Sequence, residues 1–307
     1  MKNSPQPTRA SVYLYGMVVY STIHRLAGNY PEADGYAEIE ETHRVPGGET
    51  GNSAIVLARW GHRVKVAGPC LGRETRAGVQ EFFAGRGIDC SGLPVDESFD
   101  GVRDLVLVGG ATRTVFGRFG QYFSGPKRWA KPAREDIAAA DIVGLDPYFG
   151  AESEAVARLC GELGRPYVTI DCPPDGLLHR GATATVISGE YIRNQFPKAD
   201  REELLQSYAS ESAGLVIFTS GAKEILYARG RGGIRRLQPS RIVPKSTLGA
   251  GDTFRGGVIH GVASGFNDEG IVRFAAATAT SVCKRFPMAY DPPGVDEIAA
   301  LAATLTE

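Results

Sequence analysis

The sequence has no long apolar run, no cysteine pairing pattern and almost no net charge. None of its hydrophobic stretches reaches the ~20 residues a membrane-spanning helix needs. Cys70, Cys90, Cys160, Cys172 and Cys283 are scattered, with no CxxC spacing. They read as free thiols in a reducing cytoplasm, not as a disulfide framework or a zinc site. The five histidines are isolated too, without metal-ligand spacing. A net charge of −1 gives no overall field that would favour nucleic acid or an anionic membrane. Residues 1–10 are polar, carry two prolines and lack the apolar centre of a secretion signal, so a flexible tail on a cytoplasmic protein is expected. No internal repeat and no linker divides the chain.

What is present is an alternating rhythm. The 307 residues, 43% hydrophobic, suffice for one large core over residues 11–307. Val12–Tyr20 reads as the first strand, and Tyr36–Ile39 as a short one. Pro46–Ser53 is a small-residue loop entering a helix at Ala54. Val102–Val108 and Thr112–Phe119 flank Gly109-Gly110-Ala111, a hairpin signal. From Asp141 onward short apolar strands alternate with helices: Ile142–Leu145, Tyr167–Ile170, Thr185–Ile187 and Leu215–Phe218. Ile225–Ala228 with Ile234–Leu237 form a hairpin, and helices follow from Asp252, Asp268 and Val295. Such alternation implies a mainly parallel sheet covered on both faces, a Rossmann-like three-layer α/β sandwich. Ligands of such sheets bind beyond the carboxyl ends of the strands, where Asp146, Asp171, Ser188, Thr219 and Gly221 stand.

One stretch concentrates chemistry. Gly249-Ala250-Gly251-Asp252 opens a helix with small residues, whose backbone N–H groups and helix-end polarity suit an anion. A carboxylate beside an anion site has a natural use: taking the proton from a hydroxyl that attacks the bound phosphate. A glycine turn capped by an ordinary helix-starting aspartate is the alternative.

The stretch Ser246–Gly257 resembles the C-terminal signature of the ribokinase-like (PfkB) carbohydrate kinases. Gly47-Gly48-Glu49-Thr50-Gly51-Asn52-Ser53-Ala54 resembles that family's N-terminal motif, in the expected order along the chain. The resemblance spans about Val12 to Leu305. It implies a ribokinase-like fold with a small β lid, formed by about residues 22–46 and 99–124 and commonly pairing into homodimers. It implies ATP as phosphoryl donor with Mg2+. Asp252 would be the general base, and Gly249, Ala250 and Gly251 the anion hole. Gly47, Gly48 and Asn52 would contact a sugar, with a helix cap as the alternative for Asn52. Asp146 would lie near the substrate or be a plain turn residue. Thr219 and Gly221 resemble the start of the nucleotide loop, whose final glycine is Glu224 here. Ala276 lies on the helix that borders adenine in the family, with tight helix packing as the alternative.

The chain departs from the pattern at three places. Ser21 stands where many members hold sugar hydroxyls with an aspartate. In the magnesium-water motif Ser188 replaces the asparagine, leaving Glu190 as the nearby carboxylate. Ser246 replaces the aspartate used by members that bind a monovalent cation. Arg255, one helical turn after Asp252, reads as either a surface residue or an anion contact. Phe116, with Phe119, Tyr122 and Phe123, is expected to close over a ring or to form core or a dimer seam. The expected activity is phosphorylation of a hydroxyl of a sugar or sugar derivative. A nucleoside acceptor, or a sugar- or nucleotide-binding protein without turnover, are the other readings.

Overall fold

A computed structural model describes residues 9–306; most of the expected tail, residues 1–8, lies outside the described residues. In chain order come strands β1 (Ser11–Tyr15), β2 (Val19–Leu26) and β3 (Ile39–Gly47), helix α1 (Gly48–Arg59), β4 (Arg63–Ala67), α2 (Arg76–Ala84), β5 (Asp89–Gly92), β6 (Arg103–Gly109) and β7 (Thr112–Gly117). Two short helices, α3 (Phe119–Ser124) and α4 (Arg134–Ala139), precede β8 (Ile142–Leu145), α5 (Ala151–Leu163), β9 (Tyr167–Ile170), α6 (Leu177–Arg180), β10 (Ala184–Ile187), α7 (Gly189–Gln195) and α8 (Arg201–Glu211). The chain ends with β11 (Leu215–Phe218), β12 (Ile225–Arg229), β13 (Arg235–Leu237), α9 (Ala250–Ala263), α10 (Asp268–Cys283) and α11 (Val295–Ala302).

Nine strands form the main sheet in the order β13-β12-β11-β10-β9-β8-β1-β4-β5. The pairs from β11 through to β5 are parallel, and β12 and β13 add an antiparallel edge. β8, β9, β10 and β11 are buried at every position, as their unbroken apolar runs require of strands covered on both faces. Alternation in β1 divides the core: Val12 and Leu14 join one cluster with α1, α9 and α10, while Tyr13 and Tyr15 join the other with α5.

The small second sheet runs β3-β2-β6-β7. β2 pairs antiparallel with β3 and parallel with β6, and β6 forms the expected hairpin with β7.

Three expectations need correction. Val12–Tyr20 is not one strand: the chain leaves the main sheet at Gly16 and re-enters the small sheet as β2. A Cβ on Gly16 would sit 2.0 Å from Asp146 Oδ2 and 2.4 Å from Thr50 Oγ1, so the break occurs where no side chain fits. Gly48–Ser53 is helix rather than loop, because α1 starts at Gly48; its small residues let the first turn pack against Met17, whose carbonyl accepts from Thr50 N–H at 3.0 Å. Phe119 begins α3 instead of ending the hairpin, and Tyr122 is buried against Phe99, Phe123 and Trp129.

Candidate active site

α9 begins beyond the carboxyl ends of the parallel strands. Gly249 is its N-cap, with φ 76°, a left-handed conformation that glycine adopts without strain. A Cβ there would also press on Asn52 Nδ2 at 3.2 Å. Among the described residues, the N–H groups of Gly249, Gly251 and Asp252 have no hydrogen-bond partner, whereas Ala250 N–H donates to the Thr247 carbonyl at 3.3 Å. The open donors at this helix start are therefore Gly249, Gly251 and Asp252 itself, with Ala250 partly engaged.

Asp252 is tied to α1 from two sides. Asn52 Nδ2 donates to its Oδ2 at 2.7 Å, and Ser53 Oγ donates to its backbone carbonyl at 2.7 Å. Asn52 is accordingly not a helix cap; it stands inside α1, and Gly47 occupies the cap position. Burial holds the Asp252 carboxyl above its ordinary range, against the bond from Asn52 and the charges of Arg255 and Arg113.

Beside Asp252 lies a cavity of ≈ 370 Å³. Gly47, Gly48, Glu49 and Asn52 line it from α1 and its cap, and Ser21, Asp104, Arg113 and Val115 from the small sheet. Strand register explains which small-sheet residues face inward. Ser21 pairs with Asp104 and with Val45, Ile23 with Val106, and Val106 with Val115, so these residues share one face. Phe116 is one residue out of phase with Val115. It is 53% exposed and lines a different cavity, on the outer face with Thr22 and Leu105. Phe116, expected at the substrate, therefore does not line the inner cavity, whereas Val115, Phe119 and Phe123 do.

Glu49, read in the sequence only as part of a motif, proves to be a second carboxyl at this site. Tyr148 OH donates to its Oε1 at 3.0 Å. Burial first, then the charges of Asp252 and Asp146, push it up to about 8. Asp104 was also missed. Burial raises its carboxyl against a hydrogen bond from Ser21, and its Oδ1 is shielded without a partner.

Asp146 and Arg255 are both fully buried and paired with each other. Asp146 Oδ2 also accepts from Met17 N–H at 2.7 Å and Thr50 Oγ1 at 3.1 Å. Arg255 Nε donates to Ser53 Oγ at 3.2 Å and Nη2 to the Glu49 carbonyl at 2.9 Å. Neither faces the cavity, so Asp146 as a substrate contact and Arg255 as a surface or anion-binding residue are both corrected: the pair braces the Glu49–Ser53 turn from beneath.

The expected nucleotide-side residues stand elsewhere along the same strand ends, outside this cavity. Ser188 follows β10, caps α7 by accepting from Tyr191 N–H at 3.0 Å, and donates through Oγ to Asp171 Oδ2 at 2.9 Å. Thr219 follows β11, and Gly221 has φ 59°. Ala276 is 2% exposed in the core, so it packs between helices and presents no surface; Ala279, on the same helix, is partly exposed. Glu190 is exposed in the first turn of α7. Asp171 stands electrostatically between Glu190 and Asp252; burial raises its carboxyl, and both neighbouring charges add to this. No cluster of three or more metal-ligating side chains occurs among the described residues. Asp171 and Glu190 are two carboxylates near one another at these strand ends, and Mg2+ needs one or two carboxylates beside phosphate oxygens. No helix among the described residues is long and apolar enough to cross a membrane.

The site therefore combines a mainly parallel sheet, a helix start with open N–H groups beyond its strand ends, and a small sheet across the cavity. The family model described as "pfkB family carbohydrate kinase" matches residues 182–292. The chain is 27% identical to 1-phosphofructokinase of Rhodobacter capsulatus, covering 89% of this chain and 90% of that protein. It is 26% identical to ribokinase of Bacillus subtilis (strain 168), covering 78% and 82%. The solved structure of Arabidopsis thaliana ribokinase complexed with ribose and ATP superposes with a TM-score of 0.77 at 16% identity, covering 96% and 99%. These likenesses support a kinase of the ribokinase-like (PfkB) carbohydrate type, a phosphotransferase with an alcohol group as acceptor.

Proposed function

We propose that the chain transfers the γ-phosphoryl group of ATP to a hydroxyl of a sugar or sugar derivative, with Asp252 as general base. The observation that carries this reading is the placement of the Asp252 carboxylate, at the wall of a half-open cavity and on the same helix turn as unpartnered N–H groups. A hydroxyl in the cavity would give its proton to Asp252 as its oxygen attacks the γ-phosphorus, and the bond to the β-phosphate oxygen breaks. The N–H groups of Gly249, Gly251 and Asp252, with Ala250 as a weaker contributor, would hold the charge on the transferring group. Asn52 would keep Asp252 aimed and favour its ionised form. The small sheet, as a lid, would exclude water.

ATP would lie along the ends of β10 and β11, near Ser188, Thr219 and Gly221. A ribokinase of the same fold was solved with ribose and ATP, which supports this. Mg2+ accompanying ATP would neutralise phosphate charge, its water held by Asp171 and Glu190. Two lids would pair through the outer face, where Leu105 and Phe116 are exposed neighbours. Residues 11–307 would form one unit, with the lid inserted in it.

The test is Asp252→Asn, which keeps the bond from Asn52 and removes the base. Turnover should fall ~10²–10⁴-fold with the fold retained; full turnover would reject the assignment. A nucleoside acceptor is the second reading, favoured by Phe119, Phe123 and Tyr148 on the cavity wall. Phosphorylation of sugars but not of nucleosides in one panel decides against it.

A further inference from the structure

We propose that Asp104, carried by β6, is the acceptor-specificity residue: with Ser21 it holds hydroxyl groups of a polyol whose reacting hydroxyl lies at Asp252. This rests on the kinase reading for the identity of the reacting end, but not for binding itself. The first observation is register. Ser21 and Asp104 are direct partners of the parallel β2–β6 pair, and both line the cavity that Asp252 lines. The second is an orphaned atom. Ser21 stands beside the Asp104 carboxylate, whose Oδ1 has no hydrogen-bond partner among the described residues. Buried polar oxygens are nearly always paired, and one left alone needs a reason. A ligand hydroxyl supplies it.

The surroundings select the ligand. Val19, Ile23, Val45, Val106 and Val115 line the cavity around Asp104 and Ser21. Polar groups stand on either side of this apolar band: Asp104, Ser21 and Arg113 on the lid, and Asp252, Asn52, Glu49, Tyr148, Ser246 and Arg285 on the facing segments. A molecule with hydroxyls at both ends and C–H faces between them matches this distribution. A carboxylate accepts from hydroxyls but offers no donor when ionised, so the lid end favours a hydroxyl-bearing group over a phosphate or carboxylate. An acceptor anion, if present, would have to lie away from Asp104, toward Arg113.

The experiment is calorimetric titration of D-ribose, D-fructose and adenosine into the full chain with a non-hydrolysable ATP analogue. At least one should bind the wild type. Asp104→Asn, which keeps the shape and removes the charge, should weaken that binding about tenfold or more, with ATP-analogue affinity unchanged. The exchange Ser21→Asp with Asp104→Ser, which moves the carboxylate to the neighbouring strand, should recover much of the loss. A purely structural Asp104 would show neither the selective loss nor the recovery. Equal acceptor affinity in wild type and Asp104→Asn, or binding of none of the three, overturns the proposal. The kinase reading is separated by Asp252→Asn, which should keep acceptor affinity while losing turnover; a wild type that binds acceptor without ATP turnover would reject kinase activity and leave the Asp104 site standing.

Discussion

Arg255 and Asp146 form an ion pair in which neither side chain is exposed, and it links α9, which carries Asp252, to the end of β8. Removing one partner leaves a buried charge, so Arg255→Met should cost about 3–5 kcal/mol in denaturant unfolding. Adding Asp146→Leu should return part of that loss, since the stranded carboxylate is gone. Strictly additive losses in the double variant would show that the two do not act as a pair.

Inner and outer faces of the lid differ by one residue of phase. Val115→Phe should narrow the cavity and raise the acceptor KM about tenfold or more, with ATP binding untouched. Phe116→Ser, on the outer face, should leave the acceptor KM within about twofold. Steady-state kinetics on both variants check this; the reverse ranking would mean the lid strand is a residue out of register.

Glu49 links stability to pH. Its folded carboxyl is pushed up to about 8 from an ordinary 4.5. The folded state therefore holds the proton more tightly than the unfolded chain, and this contribution is fully present below pH 4.5 and lost as pH rises through 8. Glu49→Gln cannot ionise. Its melting temperature relative to wild type should change little at pH 4.5 and climb to an advantage of at least ~2 °C above pH 8. A difference that does not vary with pH would place Glu49 in an ordinary environment.

Asn52 donates to Asp252 and favours its ionised form. Asn52→Ala should raise the Asp252 carboxyl further. A base must be ionised to work, so the acid limb of the pH–rate profile should move to higher pH. A loss of rate with an unmoved acid limb would assign Asn52 to positioning alone.

Much of the fold was legible in local sequence. Ile142–Leu145, Tyr167–Ile170 and Leu215–Phe218 have the same bounds in sequence and structure, because strands buried on both faces must be continuously apolar. The β6–β7 hairpin and the start of α9 were legible from glycine placement. The division of Val12–Tyr20 between two sheets was not, since both pieces are apolar and the close approach of Asp146 and Thr50 to Gly16 comes from segments distant in the chain.

The sequence by itself determined the layered α/β class and the Gly249–Asp252 turn, whose chemistry depends on adjacent residues. Tertiary structure alone decided the rest of the site. It withdrew Asp146 and Arg255 into a buried pair, turned Phe116 outward, and brought Glu49 and Asp104 to the cavity of Asp252. The physical reason is that a side chain's face follows strand register, and a carboxylate's freedom follows the partners it meets. Both are set by segments far apart in the chain.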